Sequence, residues 1–156
     1  MSLLRFSGRG IRPLLFSICF LALGGVVAQA KELKLEVKLI WGTNDEKSPK
    51  KEHAPVDEAT AAKLRKVFPW KYYFVEKKVT GVVPSRGSNQ FKMSGKCSIE
   101  ITELEGPRVE VKLIGKGEPV HKAIKEIRKG EWFVYTGDDA KREHGWLVII
   151  TALDEK

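Results

Sequence analysis

The sequence predicts a mainly β protein, an antiparallel sandwich or a partly open barrel of about seven strands with one short helix. Residues 33–41 alternate apolar and charged side chains with a period of two, which is typical of a strand with one buried face. Further short apolar segments follow, separated by turns rich in Gly, Pro, Asn and Ser. Because the connections are short, successive strands are expected to be antiparallel neighbours.

The region after the first strand begins with a polar connection and continues with the helix. Residues 42–56 hold few apolar side chains, and their Pro, Asn, Asp and Lys content predicts a solvated loop. Asp57 can cap a helix over residues 58–67, and Pro69 ends it. The helix is expected to pack on the core through a narrow apolar stripe of Ala61, Leu64 and Phe68.

Strand patterns return after the helix. The last two predicted strands are apolar at successive positions, so we expect both of their faces to be covered and both to lie centrally in a sheet. The predicted strands of this region are residues 72–75, 79–83, 91–93, 97–101, 109–114, 132–136 and 146–151.

Residues 119–129 fit two structures. Four apolar residues lie at helical spacing, and Gly130 could end a helix. The segment also lies between predicted strands, where a strand leading into a turn at 128–131 fits a meander. We favour the strand and keep the helix as the alternative.

The first 30 residues are predicted to be a secretory signal peptide. Basic residues precede an apolar stretch at 14–27, and residues 28–30 form a small-x-small cleavage site. The apolar stretch is shorter than the roughly 20 residues that span a bilayer, so we expect no transmembrane anchor after cleavage. Residues 31–156 have the length of a single domain. The sequence therefore predicts one exported β-rich domain, in the periplasm or outside the cell.

The charge of the mature chain is modest. Three of the 28 Lys and Arg residues belong to the signal peptide, which leaves 25 against 20 acidic residues, a net charge of +5. Charge spread along many strands is typical of a solvated surface, and only a clustered patch would indicate an anionic partner. Nucleic acid is therefore not expected as a partner, and an envelope protein or an anionic polysaccharide is expected only because of the basic aromatic segment described below.

Enzymatic chemistry has little support in the sequence. Cys97 shares a strand face with Ile99 and Ile101, which predicts a buried core thiol instead of a nucleophile. The chain has no Gly-x-Ser-x-Gly motif and no glycine-rich phosphate loop after a strand. We expect a non-catalytic protein without a cofactor.

One loop could hold a metal ion. Residues 137–145 connect the two most apolar predicted strands, and their possible ligands are Asp138, Asp139, Glu143 and His144. The loop does not match the pattern of a calcium-binding loop, and a charged hairpin tip is common in β proteins. A metal-dependent or hydrolytic protein that uses this loop is the alternative function.

The segment after the helix is the better candidate for a binding site. Trp70, Lys71 and Tyr73 interleave a cation with aromatic rings, and Lys77 follows them. Exposed rings beside basic groups can stack on sugars or bases. At least half of the rings in this segment are nevertheless expected to fill the core, because alternation sends neighbouring residues to opposite faces.

Short motifs extend over nearly all of the mature chain; they are residues 39–45, 64–68, 70–71, 130–132 and 137–139 with Trp146. With these motifs the chain resembles a group of small exported bacterial proteins of unknown function. The resemblance implies an envelope or secreted setting and implies no activity. The sequence as a whole predicts an exported envelope module that binds a partner protein or an anionic glycan.

Overall fold

The computed structural model describes residues 32–48, 50–136 and 143–153. These residues form two antiparallel sheets, of five and four strands, and one short helix. The predicted β sandwich is therefore confirmed, and neither sheet closes into a barrel. No helix in these ranges has the length and apolar character needed to cross a bilayer. The predicted signal peptide, residues 1–30, lies outside the described residues and stays a prediction.

The elements follow one another with short connections. In chain order they are β1 (Leu33–Thr43), β2 (Ala54–Pro55), α1 (Glu58–Arg65), β3 (Tyr72–Val83), β4 (Ser88–Lys92), β5 (Cys97–Glu103), β6 (Arg108–Gly115), β7 (Glu118–Glu126), β8 (Trp132–Thr136) and β9 (His144–Ala152). The five-stranded sheet has the order β2-β3-β1-β9-β8, and the four-stranded sheet has the order β4-β5-β6-β7.

The main core lies between the two sheets. The period-two pattern of β1 sends one set of its side chains inward, and β5, β6 and β9 contribute matching sets from their own alternation. These inward-facing residues include Leu33, Leu35, Val37, Leu39, Ile99, Ile101, Val109, Val111, Val148 and Ile150.

A second apolar cluster covers part of the outer face of the five-stranded sheet. Helix α1 packs there, and its N-terminus is capped by Asp57, whose carboxylate accepts a hydrogen bond from the Thr60 amide at 2.9 Å. Burying this second face explains why β9 is apolar at successive positions. The outer cluster consists of Ile40, Ala61, Leu64, Trp70, Tyr73, Leu147 and Ile149.

Strand β3 is longer than the sequence predicts. Residues 72–75 and 79–83 belong to one strand, with a bulge at Glu76 opposite the Leu39–Ile40 step of β1. The charged residues between the two predicted strands stay in the sheet because they have partners: the Lys78 ammonium lies 2.5 Å from a Glu36 carboxylate oxygen on β1. Two residues of the predicted polar loop form the short strand β2, which also pairs with β3.

Two predictions near the C-terminus have different outcomes. The strand favoured within residues 119–129 is confirmed, because β7 pairs with β6 over most of that range. The central position expected for both final strands is right for β9 and wrong for β8, which lies at the edge of its sheet. Strand β8 is apolar throughout because each sheet face beside it is covered: Phe133 and Tyr135 contact the main core, and Trp132 and Val134 contact the outer cluster.

Candidate functional site

The structure separates the four residues of the predicted binding segment. Trp70 is 1% exposed and Tyr73 is 3% exposed, so both rings belong to the outer cluster beneath helix α1. Lys71 is exposed, and its amide donates a hydrogen bond to Asn44 Oδ1. The Lys77 ammonium donates to the Lys92 carbonyl at 2.8 Å. A ligand surface made of these four residues would have to consist of the two lysines, because both rings are buried.

The predicted metal loop is described only at its C-terminal end. Asp138 and Asp139 lie outside the described residues. Glu143 and His144 are exposed at the start of β9. Within the described ranges no group of three His, Cys, Asp or Glu residues is placed to hold a metal ion. The metal site stays a prediction.

Two tryptophans lie instead at one end of the sandwich, on the inner face of the five-stranded sheet. Trp41 of β1 and Trp146 of β9 are directly opposed in the sheet register. Both have the inward orientation of Leu39 and Val148, which are paired two register positions closer to the middle of the sheet. The core residues Leu39 and Val148 are buried, whereas both indole rings are half-buried. The rings therefore extend the core to a point where the sandwich is open to solvent.

The facing sheet does not fill the space opposite these rings. Its nearest strands end in small residues, Gly115 at the end of β6 and Cys97 at the start of β5. Two adjoining pockets, of about 320 and about 250 Å³, share these two residues together with Lys96 and Trp146. We call this space the terminal cleft; it is lined by Trp41, Trp146, Lys96, Cys97, Gly115 and Lys116. Its size falls in the range of small ligand sites.

The charged residues that line the terminal cleft are two lysines and one glutamate. The lysines are Lys96 and Lys116. Glu76, the bulged residue of β3, contributes a carboxylate that lies 3.6 Å from the Lys50 ammonium. The cleft therefore combines aromatic surface with positive charge, which suits a ligand that has both apolar ring faces and acidic groups.

The histidine of the predicted metal loop is part of this end of the molecule. The imidazole of His144 stacks on the Trp41 indole, with 4.9 Å between ring centroids and 27° between the planes. Stacking on one side fixes the orientation of the Trp41 ring. In this arrangement His144 acts as a support for an aromatic wall.

Cys97 lies in the terminal cleft but does not have the properties of a nucleophile. Burial raises the pKa of its thiol, and the Glu76 carboxylate raises the pKa further. A reactive cysteine needs the opposite environment, one that stabilises the thiolate. The predicted inert role of Cys97 agrees with this environment, although the residue is half-buried at the cleft wall instead of fully enclosed.

No family model, curated protein or solved structure matches the chain.

The sequence alone does not identify Trp41 and Trp146 as a pair. One signal was available, because Trp41 continues the inward alternation of residues 33–39 beyond the last core position. The pairing with Trp146 and the small residues opposite follow from the register and from the packing of the two sheets, and the sequence does not supply either.

Proposed function

We propose that this protein is an exported, non-catalytic binding module that holds an anionic glycan in the terminal cleft. The observation that carries the proposal is the pair of half-buried indoles, Trp41 and Trp146, which line the terminal cleft together with Lys96. Indole rings offer flat apolar faces for the ring faces of sugars, and ammonium groups pair with acidic substituents. Export is inferred from the predicted signal peptide at residues 1–30.

A glycan suits this site better than a protein surface does. The cleft is concave and small, whereas a stable protein interface needs a larger area on each partner. The lysines and the indoles line the same cleft, so one ligand unit with an acidic substituent could contact both kinds of group. The predicted binding segment lacks this combination because its rings are buried.

The test is a calorimetric titration of the protein, purified after export, with polygalacturonate, alginate and hyaluronan, and with neutral dextran as the control. We expect at least one acidic polymer to bind, with an affinity that falls as salt rises, and dextran to bind weakly or not at all. Trp41→Ala and Trp146→Ala should each weaken binding by about tenfold or more.

The matched control is Trp132→Ala. Trp132 is also half-buried, but it lies on the outer face, where the Lys63 ammonium is 5.6 Å from its ring centroid. This variant should bind as the unmodified protein does. If none of the acidic polymers binds, or if both cleft variants bind as well as Trp132→Ala, the proposal is wrong. Weakening by Lys71→Ala alone would instead place the site at the segment predicted from the sequence.

A further inference from the structure

The terminal cleft continues along one side of the sandwich. A second opening of about 510 Å³ lies between strands β7 and β8. It shares His121 and Thr136 with the pocket beside Trp146, so the two spaces form one groove. We call this opening the lateral cleft; its lining includes His121, Ala123, Lys125, Phe133 and Tyr135.

The lateral cleft lies between two edge strands, and only one of them, β8, contributes large apolar side chains to it. Strand β7 is the edge of one sheet and β8 is the edge of the other. On its inner face β7 has His121, Ala123 and Lys125, opposite core residues of β6. A small residue between two polar ones cannot close the core in the way that the Leu and Val residues of β6 do. The sandwich is therefore open along this side.

Tyr135 lines the lateral cleft with its ring and not with its hydroxyl. The residue is 8% exposed, and its hydroxyl is buried without a hydrogen-bond partner in the part of the chain that the structure describes. A ligand in the lateral cleft would therefore meet the ring surface of Tyr135 and Phe133 and the charge of Lys125.

Positive charge is present at both ends of the groove. Lys96 and Lys116 lie at the terminal cleft, and Lys125 lies at the far end of the lateral cleft. From His121 to Lys125 the strand rises about 13 Å, which is longer than one sugar ring. Aromatic rings also line both parts, Trp41 and Trp146 in the first and Phe133 with Tyr135 in the second. The same combination of rings and cations is thus repeated along the groove.

We infer that the ligand is a chain of acidic sugars that runs from the terminal cleft into the lateral cleft, with Phe133 and Lys125 contacting units beyond those held by the tryptophans. This inference rests on the proposed function and specifies the length and binding direction of the glycan. A single sugar or a chain end would occupy only the terminal cleft.

The test compares galacturonate dimers, tetramers and octamers by calorimetry. We expect the octamer to bind about tenfold or more tightly than the dimer, because it adds charge-assisted contacts at the lateral cleft. Lys125→Ala should remove most of this gain and leave dimer affinity unchanged. Trp146→Ala should weaken dimer and octamer alike.

The control variant is Lys122→Ala. Lys122 lies on the same strand as Lys125 and carries the same charge, but it faces the outside of the sheet, where its ammonium is 2.9 Å from a Glu110 carboxylate oxygen. Lys122→Ala should leave the increase in affinity from the dimer to the octamer unchanged. Equal losses for Lys122→Ala and Lys125→Ala would show an effect of net charge and overturn the inference.

The results separate the inference from the proposed function. If dimer and octamer bind equally and Trp146→Ala still weakens both, the ligand occupies the terminal cleft alone and the inference is wrong while the proposed function holds. If no galacturonate oligomer binds, or if Trp146→Ala has no effect, both are wrong for this ligand class.

Discussion

Two consecutive residues of β1, Trp41 and Gly42, lie on opposite faces of the sheet and mark two different aromatic regions. On the inner face, the Trp41 indole stays half-exposed at the terminal cleft. On the outer face, the Trp70 indole lies so close to Gly42 that a Cβ there would overlap Trp70 Cε3. One region is sealed and the other is open, although both are rich in tryptophan.

The difference arises from what covers each face. Helix α1 and the segment that follows it cover the outer region, where Phe68 and Trp70 stack with 5.8 Å between ring centroids. The facing sheet covers the inner region only as far as its strands reach, and at that end it offers Gly115 and Cys97. Aromatic content alone therefore does not identify a binding surface; the size of the opposing side chains does.

The largest expected effect comes from truncating the sealed ring. Trp70→Ala should cost about 3–5 kcal/mol of unfolding free energy, because it leaves a large cavity in a closed cluster. Trp146→Ala should cost clearly less, since its ring is half-exposed and loses less buried area. Urea denaturation followed by circular dichroism measures both. Equal costs would contradict the distinction between a sealed and an open region.

The second prediction concerns the close approach of Gly42 to Trp70. Gly42→Ala should cost about 1–3 kcal/mol, because the added methyl group overlaps the indole. In a Trp70→Ala background the same change should cost little, and a double-mutant cycle measures this coupling. Gly95→Ala is the control: its Cβ would meet nothing within 4 Å, so its effect should stay within about 0.5 kcal/mol. Additive costs in the cycle would show that the indole does not depend on Gly42.

The sequence predicts much of this fold because the strong patterns are local. The alternation of β1 and the cap, stripe and stop of α1 depend on residues close in the chain, and both elements form as expected with small shifts of their ends. The edge position of β8 could not be predicted. An apolar strand covered by a helix on one side and a sheet on the other has the same pattern as a central strand.

The candidate site was harder to predict because it depends on contacts between distant residues. Trp70 precedes β3, so strand alternation does not determine its direction, and its burial requires Gly42 beneath it. The expectation that at least half of the rings in that segment fill the core is confirmed by Trp70, Tyr73 and Phe74, which are all buried. The terminal cleft needs Trp41, Trp146 and Gly115 from three strands, and only the sheet register and packing bring these together.

The third prediction tests how much the cover of the outer region depends on the helix cap. Asp57→Ala should cost about 1 kcal/mol, because the Thr60 amide loses its acceptor at the start of α1. Asp57→Ser keeps an acceptor and should recover most of the loss. Thermal unfolding of the three proteins gives the comparison. An equal loss for Ser and Ala would mean that the carboxylate acts through its charge and not as a cap.

The smallest effect at neutral pH is expected for Tyr73, whose hydroxyl is buried in the sealed region without a hydrogen-bond partner among the described residues. Tyr73→Phe removes this unpaired group and should be neutral or slightly stabilising. Its effect should appear at alkaline pH. Burial raises the pKa of Tyr73 to about 12, whereas the ordinary value is about 10, so the folded protein keeps this proton longer than the unfolded chain does. The stability that depends on this proton is complete below about pH 10 and is lost as the pH rises to about 12.

The free energies of unfolding of the Tyr73→Phe and unmodified proteins should therefore differ by a constant amount between pH 6 and 9. Above about pH 10 the variant should become more stable relative to the unmodified protein. Urea titrations at each pH provide the measurement, and the lower range is the internal control. If the two curves stay parallel up to about pH 12, the Tyr73 hydroxyl must reach solvent in the folded protein. The outer region would then be less closed than the packing around Trp70 indicates, and the contrast with the terminal cleft would be reduced.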